Sequence, residues 1–170
     1  MKIRLTLAFL ILLMFNSAGF AQVEETKPKD EAFCRIIYQF ISESRISYRN
    51  IIKEPITVEG NWFYGASKIQ VPGALKTVIK QNLYYHAYSE MLYTDSLPEA
   101  EHKYRELVYK VSACMPPKWK SYEELKPTTG YFKQYSSSVS NSSPSVYVEI
   151  VKKEGSEKLY TVQVRFLALN

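Results

Sequence analysis

The stretch SLPEAEHKYRELVYKVSACMPP, residues 96–117, decides the reading of the whole chain. Ser96 can cap a helix, Pro98 suits its first turn, and Glu99 follows the cap by three residues, so the orphan backbone donors of a helix start have acceptors. Leu97, Ala100, Tyr104, Leu107, Val108, Val111, Cys114 and Met115 then keep helical spacing and give the segment one apolar face. Glu99 with Lys103, Glu101 with Arg105 and Glu106 with Lys110 form i,i+4 pairs on the exposed side. Pro116-Pro117 ends the helix, because neither residue can donate and each excludes helical angles from the residue before it.

Cys114 belongs to this apolar face, and the only other cysteine is Cys34. It lies in the first turns of a second helical pattern, Asp30 to Arg45, where Ala32, Phe33, Ile36, Ile37, Phe40 and Ile41 share a face. An oxidising compartment favours pairing the two thiols, and the Cα atoms of a disulfide stand within about 7 Å. The spacing predicts a Cys34–Cys114 bridge from the start of one helix to the end of the other, which sets them antiparallel, side by side. A redox-active pair has closely spaced cysteines, and these are far apart in sequence.

The oxidising compartment is expected from the amino terminus. Lys2 and Arg4 precede an apolar run from Leu5 to Phe15, and Gly19-Phe20-Ala21 supplies small residues before a cut. Residues 1–21 read as a signal peptide, since a membrane span needs about 17 to 25 apolar residues and this run stops earlier. Residues 22–29 are a polar lead-in and residues 30–170 a single domain, periplasmic or secreted, with no membrane span in the mature form. Loss of Lys2 and Arg4 lowers the net charge from +5 to +3. Basic residues occur at most as pairs such as Lys152-Lys153, which disfavours nucleic acid as a partner.

Between the helices, Trp62 to Val71, Ala74 to Lys80 and Leu83 to Tyr93 are rich in aromatic and β-branched residues, with turn residues at Gly60-Asn61, Pro72-Gly73 and Gln81-Asn82. These read as three strands, with a helix over residues 75–92 as the competing reading because Leu75, Ile79, Leu83, Ala87 and Met91 recur every four residues. After the second helix, residues 118–130 form a polar connection anchored by Trp119. A strand follows from Tyr131 to about Ser137, then a serine-rich loop from Ser136 to Ser145. The end is a hairpin: Val146, Val148 and Ile150 alternate with Tyr147, Glu149 and Val151, and Tyr160, Val162, Val164 and Phe166 alternate with Thr161, Gln163 and Arg165.

The expected fold is α+β: an antiparallel sheet of five to six strands with both helices on one face, in the order α-β-β-β-α-β-β-β. Helix plus β-meander, twice over, describes it as an approximate two-fold repeat. The element order resembles the type III secretion chaperone-like fold, but no motif is shared with it and no function is carried over.

Catalytic signatures are absent from the sequence. His86 and His102 have no companions at metal-ligand spacing, no serine sits in a Gly-x-Ser-x-Gly elbow, and the glycines are isolated. No catalytic residue, metal site or cofactor is assigned. The one excess is tyrosine, 14 in the chain. Two accounts of it compete, and in the first Tyr38, Tyr84, Tyr104, Tyr109 and Tyr160 fill the layer between sheet and helices, with their hydroxyls reaching the rim, while the second is a contact surface. Tyr131, Lys133, Tyr135, Tyr147, Gln163 and Arg165, with Glu149, are expected together on the wet sheet face as a contact surface, because Tyr and Arg bury area while keeping a polar end. The expected function is a non-catalytic exported module binding a protein, peptide or envelope component. The alternatives are a small extracytoplasmic hydrolase centred on His86 and a structural homodimer paired through its β-edges.

Overall fold

A computed structural model describes residues 29–53, 57–81, 83–124, 131–140, 144–152 and 160–168. The signal-peptide reading of residues 1–21 and most of the lead-in lie outside them. Helix α1 spans Glu31–Ser44 and is capped by Asp30, whose Oδ1 accepts from the Phe33 N–H at 3.0 Å. Four strands follow: β1 (Thr57–Glu59), β2 (Trp62–Ala66), β3 (Lys76–Gln81) and β4 (Tyr85–Thr94). Helix α2 spans Leu97–Cys114, and β5 (Lys120–Glu124), β6 (Tyr131–Ser138), β7 (Ser145–Lys152) and β8 (Tyr160–Leu167) complete the chain.

All eight strands form one sheet in the order β1-β2-β3-β4-β8-β7-β6-β5, each pairing antiparallel. Each half of the chain is thus a helix followed by a four-stranded meander, and the two meanders join through their last strands, β4 and β8. This is the helix-plus-meander repeat expected from the sequence, with four strands per half.

The expected five to six strands become eight for two local reasons. Strand β1 has only three residues, too few to alternate, and exists through its hairpin with β2, whose turn Gly60 closes at φ +59°. Strand β5 is exposed along its whole length and carries Lys120, Glu123 and Glu124; cross-strand pairing with β6 holds it, and its charges suit a sheet edge. The connection over residues 118–130 is therefore part strand. In the serine-rich stretch, Ser136 to Ser138 extend β6 and Ser145 opens β7, so the loop is shorter than expected. Residues 76–81 and 85–94 are strands and not a helix: Thr77, Val78, Ile79, the tyrosines and Val164 opposite them fit a pleated surface.

The core lies between one sheet face and the helices. Ile79, Ala87, Phe166, Val164, Val148, Val146 and Ile150 point from the sheet, and Phe33, Ile37, Phe40, Tyr104, Leu107 and Val111 meet them. Phe40 stacks on Phe166 at 4.6 Å between ring centroids. Cys34 and Cys114 are bonded, with Cα atoms 5.1 Å apart, and join the amino-terminal end of α1 to the carboxy-terminal end of α2. The Tyr38 hydroxyl donates to the Cys114 carbonyl at the same junction. On α2, Lys110 pairs with Glu106 at 3.0 Å and Arg105 approaches Glu101 at 3.9 Å, as the spacing predicts. Lys103 pairs with Glu106 instead of Glu99, because Glu99 accepts from the Thr94 hydroxyl. Thr94 also accepts from the Ser96 N–H, so it relays the reciprocal half of the helix cap.

Candidate functional site

The sheet face turned away from the helices carries the polar and aromatic side chains. Strand register fixes the set: Tyr64 opposite Lys80, Lys80 opposite His86, Tyr88 opposite Arg165, Glu149 opposite Gln163, and Tyr147 opposite Arg165. Trp62 shares the side of Tyr64, and Gln134 lies opposite Glu149. Trp62, Tyr64, Lys80, Tyr88, Val151 and Gln163 line a cavity of about 300 Å³. Strands β2 and β7 stand four places apart in the sheet, which on a flat sheet is roughly 19 Å. Their side chains line one cavity, so this face is concave. A break in register between Glu90 and Leu92 lies in the middle of the span, and bulges of this kind sharpen local twist.

At the floor, Glu149 is fully buried although it lies on the face turned away from α1 and α2. Its Oε1 accepts from Gln134 Nε2 at 2.7 Å and from Arg165 Nη2 at 2.5 Å, and its Oε2 accepts from Gln163 Nε2 at 2.8 Å. Arg165 Nε also donates to both oxygens, at 3.0 and 3.2 Å. A buried charge is tolerated only when paired and hydrogen-bonded, and this arrangement supplies both. The Tyr147 ring covers the guanidinium at 3.9 Å. Strict alternation predicts this face to be wet, yet Glu149, Gln163 and Arg165 are all buried here. Mutual neutralisation and the curl of the sheet account for that.

Above the floor, the Lys80 ammonium lies 5.4 Å from the Tyr64 ring centroid and 4.9 Å from that of Tyr88. Among the described residues no carboxylate comes within ion-pair distance of it. His86 stacks beside Tyr88 at 5.6 Å. Burial lowers its pKa to about 4, with Arg165 and Lys80 adding to the shift and Glu149 opposing it, so the ring is neutral at neutral pH. Its Nδ1 is buried without a partner among the described residues.

Of the residues expected to form one contact surface, Tyr147, Gln163 and Arg165 share this concave face with Glu149. Lys133 and Tyr135 do not. Register places them opposite Ile150 and Val148 on the helix side, where Tyr135 is buried and bonds the Ser121 hydroxyl at 2.9 Å. Lys133 there pairs with Glu123 at 3.3 Å and sits over the Tyr104 ring. Tyr131 belongs to β6 opposite Val151, next to a break in register before Lys133. The tyrosines expected between sheet and helices also divide: Tyr104 is buried and Tyr160 packs against the core, whereas Tyr38, Tyr84 and Tyr109 are exposed. Trp62, Tyr64, Lys80 and Tyr88 were not singled out as a surface by sequence. Their signal was the period-2 placement of Trp62 with Tyr64 and of His86 with Tyr88.

Among the described residues no group of three or more His, Cys, Asp or Glu is placed to hold a metal ion, and no helix is long and apolar enough to cross a membrane. No family model, curated protein or solved structure matches the chain.

Proposed function

We propose that this chain is an exported, non-catalytic binding module that takes its ligand on the concave sheet face. The observation that carries the reading is the cavity between Trp62, Tyr64, Lys80, Tyr88, Val151 and Gln163, built on a floor whose charged groups already satisfy one another. Concave sites lined by aromatic rings with a few fixed polar groups are the usual form of ligand pockets. Glu149 has both oxygens occupied, which suits a group that rigidifies a surface better than one that exchanges protons. Export is supported by the signal-peptide pattern of residues 1–21 and by the buried Cys34–Cys114 bridge, which is of the type that persists outside the reducing cytosol. The proposed surface keeps Tyr147, Gln163 and Arg165 from the sequence reading and adds the cavity lining.

The chain has two tryptophans, so Trp119→Phe leaves Trp62 as a reporter inside the cavity. Acidic, basic and apolar peptides, neutral and acidic saccharides, and envelope extracts are titrated against this variant. A saturable change in Trp62 emission, lost in Tyr88→Ala, supports the reading. A ligand that raises the melting temperature without responding to Tyr88→Ala places binding elsewhere. Turnover of ester, glycoside or peptide substrates that vanishes in His86→Ala would replace the reading with the hydrolase alternative. A dimer mass in light scattering that reverts on charge reversal along β5 would replace it with edge-paired assembly.

A further inference from the structure

We propose that the concave cavity recognises an acidic saccharide, with a sugar carboxylate on Lys80, a ring hydroxyl on Gln163 and the apolar face of the sugar ring on Trp62. This rests on the concave-face reading above and names its ligand class.

The charge balance comes first. Arg165 is matched by Glu149, and Lys76, on the same face, by Glu90 at 2.9 Å. Lys80 is the cation that lines the cavity, and among the described residues no carboxylate pairs with it; Lys120, on the same face, lies out at the β5 edge away from the cavity. Its ammonium is held between two tyrosine rings, which fix a cation in place without neutralising it. One unmatched positive charge complements a carboxylate. A phosphoryl group carries nearly twice that charge and is usually met by several cations or by a helix amino terminus.

The acceptor follows from the floor. A carboxylate paired with arginine can only accept, so the hydrogen bond from Gln163 to Glu149 at 2.8 Å fixes which end of the Gln163 amide faces the floor. The Oε1 end is thereby committed to other partners, and Gln163 lines the cavity. That geometry presents an acceptor suited to a hydroxyl. Both tyrosine rings are engaged with Lys80, which leaves half-buried Trp62, tilted 36° from Tyr64, as the platform for a ring of C–H groups. A volume of about 300 Å³ lies at the lower end of small-molecule sites and matches a saccharide unit.

The probe is trigalacturonate, titrated against the Trp119→Phe chain, beside its fully methyl-esterified form, galactotriose, and a short peptide whose only acidic group is its terminal carboxylate. The acid is expected to saturate the Trp62 signal and to bind about tenfold or more tighter than its ester, the factor a charge-assisted hydrogen bond confers. Lys80→Met should remove that advantage while leaving the ester's affinity within about twofold, with circular dichroism and melting temperature showing that the variant is folded. Equal binding of acid and ester, or an unaltered acid affinity in Lys80→Met, overturns the carboxylate assignment. Lys80-dependent binding of the peptide with no response to any saccharide overturns the ligand class and leaves the concave face standing. No Trp62 response to any probe, here or in the wider panel above, overturns both.

Discussion

Arg165 and Glu149 sit on adjacent strands, two residues out of register with each other, and are joined at 2.5 Å on the sheet face turned away from α1 and α2. The carboxylate is fully buried there and is reached by Arg165, Gln163 and Gln134. Three strands of the second meander, β6, β7 and β8, are thereby tied beneath the cavity that Trp62, Tyr64 and Tyr88 line from the first. The pair joins fold to site.

Glu149→Gln leaves the Arg165 charge buried without its counter-ion, and stability is expected to fall by about 3 to 5 kcal/mol. Glu149→Gln/Arg165→Met removes the stranded charge and should cost less than the single change. Urea denaturation of both variants checks this. Equal losses would mean that Glu149 acts only as a hydrogen-bond hub.

The disulfide closes a span of 80 residues, which in the chain-entropy model is worth about 4 to 5 kcal/mol. Cys34→Ser/Cys114→Ala, or reduction of the wild-type chain, should lower the urea midpoint accordingly. The loss should concentrate where the helices meet: hydrogen exchange of the last turns of α2, at the Tyr38–Cys114 contact, should rise before that of β7 and β8.

His86 sets a pH dependence of known sign. In the unfolded chain its ring takes a proton near pH 6.5. In the folded chain burial, Arg165 and Lys80 hold it neutral down to about 4. The unfolded state therefore binds more protons between these values, and stability is lost as pH falls from about 6.5 to 4, then levels off as the folded ring also protonates. His86→Gln should flatten this part of the profile. Denaturation midpoints across pH 7 to 4 measure it, and an unchanged slope in the variant would assign the acid sensitivity to carboxylates.

The helices were legible in the sequence because their ends are marked chemically: Asp30 and Ser96 cap them, and Pro116-Pro117 stops the second. The paired cysteines, the terminal hairpin and the doubled helix-plus-meander plan were legible for similar local reasons. The composition of the site was not. Alternation gives the two sides of each strand but not which side of one strand matches which side of the next. Tyr135 pairs with Val148, so the odd-numbered side of β6 matches the even-numbered side of β7, and Lys133 and Tyr135 fall away from Tyr147. That phase runs unbroken from Lys133 to Ser138 and shifts only between Tyr131 and Lys133, and the alternation within either strand does not reveal it. Burial of Glu149 was hidden in the same way, since it depends on Gln134, Gln163 and Arg165 converging from two other strands.

Gly65 fixes how the segment after α1 lies on the first meander. A Cβ at this position would stand 2.5 Å from Ile52 Cγ1 and 2.7 Å from its Cδ1. Ile52 bridges to Ser67, and the Lys53 N–H donates to the Ala66 carbonyl at 2.7 Å, so the backbone on both sides is tethered and the contact cannot relax by sliding. Gly65→Ala should therefore cost about 1 to 3 kcal/mol, as overpacking does. Ile52→Ala alone removes packing, but in Gly65→Ala/Ile52→Ala the new methyl enters the space that the isoleucine vacates. The double variant should lose less than the two single losses added together, a coupling that contacting residues show and distant ones do not. Thermal unfolding of the four chains closes the cycle. Strict additivity would mean that the segment lifts off β2 to accept the methyl, and the cavity between Phe63, Ile79 and Tyr85 that Ile52 helps to line would then open with it.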